Sequence, residues 1–356
     1  MKTAIVYDRI NKFGGGEQVL LTLHEIFPKA ILFTSVYSKK NAKWAEVFPE
    51  VKTSFLKHIP FAENHHEFFA LLMPLAFESF NFNEYDLVIT VTSEAAKGII
   101  TNPNTKHICY MLTPTRYLWS GYNEYFSNKI LRILFLPLIN YLKNWDKVAA
   151  NRPDKIIAIS GVVEKRIKRY YNLDSKIIFP PVEISHNQKK HDIKEKYYLI
   201  VGRLVKYKKI DLAIKAFNEL GFPLVIVGTG REEKKLKRLA HDNIHFAGFV
   251  SHEELSKYYS NALALIFPQN EDFGITAVEA ESFGVPVIAY KRGGALDTVI
   301  DNKTGIFFKE QTKASLVKAV VKFGKIKFNK KLIIENAQKF SKERFKKEFL
   351  ELTQEL

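Results

Sequence analysis

Apolar residues recur along the chain in two separate series of short runs. The first series occupies residues 4–7, 31–35, 87–91, 107–112 and 155–159, and Val, Ile and Thr are frequent in it. Polar-apolar stretches lie between these runs. In residues 17–27, Val19, Leu20, Leu23, Ile26 and Phe27 recur at helical spacing. Short continuous apolar strands alternating with amphipathic helices predict a parallel sheet covered on both faces. The rhythm breaks at Pro180-Pro181 and the polar segment 185–196. It resumes with runs at 198–201, 224–227, 244–246, 262–267 and 285–289. The pattern thus predicts two α/β domains, residues 1–185 and 186–340, with a cleft between them. A basic helix over 341–356, with Ser341 as its N-cap, is expected to pack back on the first domain. Ligands of such sheets sit at the carboxyl ends of the strands, where the strand order reverses.

Composition narrows the class. A length of 356 residues suits two domains, and 46% hydrophobic content argues for packed cores rather than disorder. A single cysteine, Cys109, excludes an intramolecular disulfide, and no Cys/His spacing reads as a zinc site. Together these predict a reducing, cytoplasmic setting. No secretory signal is visible, because Asp8 and Arg9 follow the first strand directly. The most apolar stretch, residues 130–142, is broken by Arg132 and Pro137 and falls short of the ~20 residues a membrane span needs. A soluble protein, or one peripheral on the inner face of a membrane, is expected.

The formal net charge of +16 calls for an anionic partner. Residues 309–347 carry 13 Lys and Arg against 3 Asp and Glu. Nucleic acid, an anionic membrane face and a phosphorylated substrate all fit this charge, and so does a solvated helical face.

Four loops carry candidate chemistry. Gly14-Gly15-Gly16-Glu17 opens the first helix, where free N–H groups and an unobstructed backbone suit a phosphate; a plain β–α turn satisfies the same pattern. Arg203 and Lys208 lie on the loop after the strand 198–201, where cations neutralise a pyrophosphate or simply face solvent. Glu271-Asp272-Phe273-Gly274-Ile275 runs into a helix that carries Glu279. Two carboxylates flanking a helix start suit a ligand with hydroxyls on both sides of a pyrophosphate, as in a nucleotide-sugar. Gly293-Gly294 repeats the turn-and-helix pattern.

The segments GRLVKYKKIDLAI, EDFGITAVEAESFGVPVIA and GGALDTVI, in that order, resemble family-4 glycosyltransferases of the GT-B fold, with GGGE, SGVVEKRIKRYY and PPVE in agreement. HICYMLTPTRYLW and the pattern GRL-x-x-YK-x-IDLAI resemble the mannosyltransferase branch that assembles bacterial surface polysaccharides such as O-antigen. The resemblance implies two Rossmann-like domains facing each other across a cleft. It implies a retaining, metal-independent hexosyltransferase; the absence of an Asp-x-Asp motif agrees, and no cofactor or metal is expected. Arg203 and Lys208 would hold the donor pyrophosphate, and Glu271 the sugar hydroxyls. Phe273, Gly274 and Ile275 would supply backbone contacts, and Glu279 would take the ribose. Gly15 and Gly16 would approach the donor phosphates, and the loop at Val250 would meet the base. Many relatives carry a histidine where this chain has Leu112: either this branch does not rely on that imidazole, or another group such as Glu94 or Arg116 serves the acceptor side, or the enzyme is impaired.

The resemblance favours GDP-mannose as donor and a glycan or lipid-linked acceptor, with an anionic membrane surface as a further partner. A UDP-sugar-dependent enzyme of the same fold is the alternative. An epimerase or phosphorylase shares the architecture but not the carboxylate spacing. A non-catalytic sugar-nucleotide or nucleic-acid binder is the alternative from another class, although no nucleic-acid signature is present and none is expected as partner.

Overall fold

A computed structural model of the chain describes residues 1–63, 66–122, 133, 135–184 and 196–355. The polar segment 185–195 and most of residues 123–134 lie outside the described residues. The chain forms two compact units, Met1–Pro181 with Phe345–Leu356, and Val182–Arg344.

The first unit is built on seven parallel strands: β1 (Thr3–Tyr7), β2 (Ile31–Thr34), β3 (Val51–Thr53), β4 (Leu87–Thr92), β5 (Lys106–Met111), β6 (Lys155–Ala158) and β7 (Lys176–Ile177). Their order is β3-β2-β1-β4-β5-β6-β7, so the winding reverses between β1 and β4. Tyr7, the last residue of β1, pairs with Thr34 on one side and Val91 on the other. All six residues of β4, Leu-Val-Ile-Thr-Val-Thr, are buried, as expected for a strand covered on both faces.

The apolar stretch 68–82 has two fates. Phe77 and Phe82 are core, and Phe82 packs on Phe33 with ring centroids 5.0 Å apart. Phe68, Leu71, Leu72 and Leu75 instead face solvent, Phe68 with 84% of its surface exposed. The last helix, Lys342–Gln354, buries Phe345, Phe349 and Leu352. Phe345 meets Tyr110 of β5 edge-on at 5.7 Å, and Lys346 pairs with Glu25 at 2.5 Å. The chain's end therefore completes the first unit.

The second unit has six parallel strands: β8 (Tyr197–Val201), β9 (Leu224–Val227), β10 (Ile244–Gly248), β11 (Ala262–Phe267), β12 (Val287–Tyr290) and β13 (Gly305–Phe308). Their order is β10-β9-β8-β11-β12-β13, with the reversal between β8 and β11. Alternate residues of β8 serve opposite faces: Tyr198 and Ile200 join one cluster, Tyr197 and Leu199 the other. The helix Ile210–Leu220 buries Ile210, Ala213, Ile214 and Phe217, the i, i+3, i+4, i+7 stripe of an amphipathic helix. It stops at Gly221 (φ +69°), whose N–H donates to the Phe217 carbonyl at 2.9 Å.

The basic residues of 309–347 belong largely to such helices. Lys313–Phe323 buries Leu316, Ala319, Val320 and Phe323 while Lys313, Lys318 and Lys322 are exposed. Among the described residues no helix is long and apolar enough to cross a membrane.

Candidate functional site

In the second unit, the reversal between β8 and β11 brings two loops side by side. The loop after β8 carries Arg203 and Lys208, and the loop after β11 carries Glu271 to Gly274. Lys208 Nζ and Glu271 Oε1 form an ion pair, with 11% and 18% of the side-chain surfaces exposed. Screening by solvent is weak at such a site, so the pair fixes both groups at the carboxyl edge of the sheet. Arg203 stays exposed and donates to the Tyr207 hydroxyl at 3.1 Å.

Gly274 (φ +99°) turns the chain into the helix Ile275–Ser282. A β-carbon there would lie 2.9 Å from the Phe267 ring, in a conformation that L side chains rarely adopt. Phe273 is buried on Phe340, 5.6 Å between ring centroids. Gly294 closes the loop from the other side: its N–H donates to the Glu271 carbonyl at 2.8 Å, and a β-carbon on it would sit 2.2 Å from Phe273 Cα. The pattern at Gly293-Gly294 therefore serves as the wall that holds the Glu271 loop.

The hydroxyl of Thr276, in the first turn of this helix, is shielded from solvent and has no hydrogen-bond partner among the described residues. Glu279, one turn further on, accepts from the Tyr259 hydroxyl at 2.8 Å, and burial raises its carboxyl above the usual range. Val250 follows β10 and packs against the core cluster that includes Leu265 and Val285. The second unit thus joins Lys208 to the loop of Glu271, Phe273, Gly274 and Ile275, while the contacts of Arg203, Glu279 and Val250 are with Tyr207, Tyr259 and the apolar core. Two cations, two carboxylates and a helix N-terminus can take a polyanion bearing hydroxyl groups.

The remaining candidates lie in the first unit, around its own reversal between β1 and β4. The helix Gly15–Ile26 starts at Gly14, which offers no side-chain cap. Glu17 supplies the carboxylate instead. It is 3% exposed, accepts from the Tyr7 hydroxyl at 2.8 Å, and holds Oε2 3.2 Å from where a Gly14 β-carbon would stand. The anion nearest this helix start is therefore the chain's own, favoured there by the helix dipole. Leu112 flanks the same loop: a β-carbon on Gly16 would lie 3.0 Å from Leu112 Cδ1 and 2.8 Å from the Tyr7 hydroxyl.

Glu94, just past β4, pairs with Arg9, just past β1. Between them Asp8 accepts from the amides of Ser93 (2.6 Å), Glu94 (3.0 Å) and Ala96 (2.9 Å) and from the Thr92 hydroxyl (2.9 Å). Burial and the Glu94 charge raise the Asp8 carboxyl. Arg116 lies on the loop after β5, and its carbonyl accepts from the Gly121 amide at 2.8 Å. Asp8 and Arg9 are not among the candidates read from the sequence, although their signal is the one that marks Arg203, charge placed just after a strand. Among the described residues no group of three or more His, Cys, Asp or Glu side chains converges as a metal site would.

Residues 181–340 match the family model described as Glycosyl transferases group 1. An uncharacterized glycosyltransferase of Methanocaldococcus jannaschii is 27% identical over 203 residues, covering 55% of this chain and 57% of that protein. A GDP-mannose-dependent alpha-(1-6)-phosphatidylinositol monomannoside mannosyltransferase of Mycobacterium tuberculosis is 36% identical over 124 residues, 30% of this chain and 32% of that protein. The chain spans about half the length of the curated relatives it matches. Among solved structures, sucrose-phosphate synthase from Thermosynechococcus elongatus aligns with a TM-score of 0.76 at 18% identity, over 100% of this chain and 99% of that one. Anabaena HepE in complex with UDP and glucose aligns with a TM-score of 0.71 at 18% identity, over 100% of both chains. Likeness at this identity is one of fold, and the fold is GT-B.

Proposed function

We propose that this chain, which has the GT-B fold and whose residues 181–340 match the group 1 glycosyl transferases, is a retaining glycosyltransferase using GDP-mannose as donor and a glycan or lipid-linked molecule as acceptor. The observation that carries the reading is the pairing of Lys208 with Glu271 beside the helix that starts at Gly274. A departing nucleoside diphosphate accumulates negative charge on its phosphate oxygens. Lys208, Arg203 and the N–H groups at the head of Ile275–Ser282 are fixed donors for that charge. Such preorganised donors are worth ~3 kcal/mol each in a transition state.

In this reading Glu271 takes two roles. It holds Lys208 in place, and its second carboxylate oxygen accepts from hydroxyls of the transferred sugar. Glu279, with one oxygen on Tyr259, offers the other to the ribose. No carboxylate is assigned as nucleophile, and the resemblance to family-4 glycosyltransferases implies retention by a front-face displacement. The C1–O bond to phosphate breaks and the bond from C1 to the acceptor oxygen forms on the same face. The acceptor's proton passes to the departing phosphate oxygen, and no metal is required.

GDP-mannose is favoured over UDP-sugars by the mannosyltransferase relative and by the segments around residues 107–119 and 207–214. Glu94 and Arg116 are assigned to the acceptor side. Exposed apolar residues of the first unit, among them Phe68, Leu71 and Leu75, together with the net charge of +16, support work at an anionic membrane surface. A thermal-shift panel of GDP-, UDP-, ADP- and CMP-sugars tests the reading, since only a bound ligand raises the melting temperature. GDP-mannose is expected to give the largest rise, in EDTA as in its absence. No rise with any of the four would overturn it.

A further inference from the structure

Thr115 and Trp119 of the stretch 107–119 and Asp146 lie outside the donor site described above, yet the fold joins them with Lys97 and Tyr171 in one cluster. Lys97 Nζ and Asp146 Oδ1 are 2.6 Å apart, and each side chain is 1% exposed. Lys97 also donates to the Glu94 carbonyl and, at 3.0 Å, to Thr115 Oγ1. The Thr115 hydroxyl donates to Asp146 Oδ1 at 2.6 Å and lies 3.1 Å from the Glu94 carbonyl. Asp146 Oδ2 accepts from Trp119 Nε1 at 2.7 Å and from the Tyr171 hydroxyl at 2.6 Å. One carboxylate therefore collects four donors from the loop after β4, the loop after β5 and the helix Gly161–Tyr171, while itself belonging to the helix Leu136–Ala150.

A buried ion pair of this kind is a poor device for stability alone, because apolar side chains of similar volume pack as well without the desolvation cost. Its directional bonds do something apolar packing does not: they fix the two loops relative to each other. Those loops carry Glu94 and Arg116. Glu94 is reached through its own carbonyl, and Arg116 is the neighbour of Thr115.

We infer that Lys97, Asp146 and Thr115 are positioning residues that hold the Glu94 loop and the Arg116 loop in the register an acceptor requires. This inference rests on the glycosyltransferase reading for its functional half only. The bonds that define the cluster all join residues of the first unit, so GDP affinity at the second unit is expected to be unchanged when they are removed.

Thr115→Val is the most direct variant, because it removes the hydroxyl that joins both loops and leaves the ion pair intact. Trp119→Phe, which removes only one donor to Asp146, is the second should Thr115→Val fold poorly. Hydrogen exchange followed by mass spectrometry is expected to show at least ten-fold faster exchange in residues 94–98 and 113–119, with 202–210 and 271–284 unchanged. GDP affinity is expected to stay within two-fold of wild type. The KM for dodecyl mannoside, glucoside or galactoside, whichever the wild type uses fastest, is expected to rise at least ten-fold.

Unchanged exchange in both loops overturns the inference. So does faster exchange with an unchanged acceptor KM, which leaves the cluster a merely structural one. Loosened loops in a protein whose wild type binds neither GDP nor UDP keep the positioning geometry and overturn the glycosyltransferase reading instead.

Discussion

Lys208 and Glu271, 63 residues apart in sequence, meet as an ion pair at the point where the second sheet reverses its winding. Each stands on the loop leaving one of the two strands that flank the reversal. A cation and an anion locked there can neither drift into solvent nor bind independently of each other. A donor that engages the ammonium through phosphate and the carboxylate through sugar hydroxyls satisfies both at once.

Lys208→Met and Glu271→Gln are each expected to lower kcat/KM for transfer by at least ~100-fold, and Arg203→Ala by a similar factor, with the fold intact. The double variant at Lys208 and Glu271 should lose much less than the product of the two single losses, because groups in contact are coupled. Steady-state kinetics on the four proteins of this cycle measure that coupling. Strict multiplication of the losses contradicts a shared role.

Glu281 offers a test of the core that is separate from the site. It is fully buried and accepts from Asn336 Nδ2 at 2.7 Å, and burial pushes its carboxyl up to about 8. A folded-state pKa above the unfolded one means that the native state holds the proton more tightly. Its stabilising contribution is complete below the unfolded value of 4.5 and is lost as pH rises through about 8. Glu281→Gln removes that loss. The melting temperature of the variant, relative to wild type, is expected to rise by at least ~3 °C between pH 5 and pH 8.5. A difference that does not change with pH contradicts the assignment.

Much of this was legible in the sequence, for reasons particular residues make plain. The apolar runs of β4 and β11 are continuous because both faces are covered, so strand and parallel class could be read together. Glu271 and Gly274 mark a candidate ligand loop because a carboxylate and a backbone without a β-carbon stand directly before a helix start. The partners were not legible. Nothing near Lys208 names Glu271, and nothing near Asp146 names Lys97, since pairing across more than 40 residues depends on strand order. Nor does composition reveal how the stretch 68–82 divides, with Phe77 and Phe82 in the core and Phe68, Leu71 and Leu75 exposed, because that depends on the turn into a helix at Met73.

The exposed apolar residues of the first unit bear on the membrane. Charge attraction adds about 1 kcal/mol per basic residue near an anionic surface. The protein is expected to float with vesicles containing phosphatidylglycerol at low salt and to be released at high salt. Leu71→Ser with Leu75→Ser should reduce flotation several-fold at low salt. Absence of wild-type flotation at low salt ends the membrane proposal.

The donor base is tested by initial rates with GDP-mannose and UDP-glucose. GDP-mannose is expected to be the better donor by at least ten-fold in kcat/KM, equivalent to ~1.4 kcal/mol. The opposite ratio removes mannose from the account and leaves a UDP-sugar-dependent glycosyltransferase of the same fold.

Isothermal titration of GDP into the wild type and into Lys208→Met reaches the central claim, a nucleoside-diphosphate site on the second unit. One GDP per chain is expected to bind saturably, and at least ten-fold more weakly in the variant. Equal affinity in the two proteins, or a wild type that binds neither GDP nor UDP, contradicts the account.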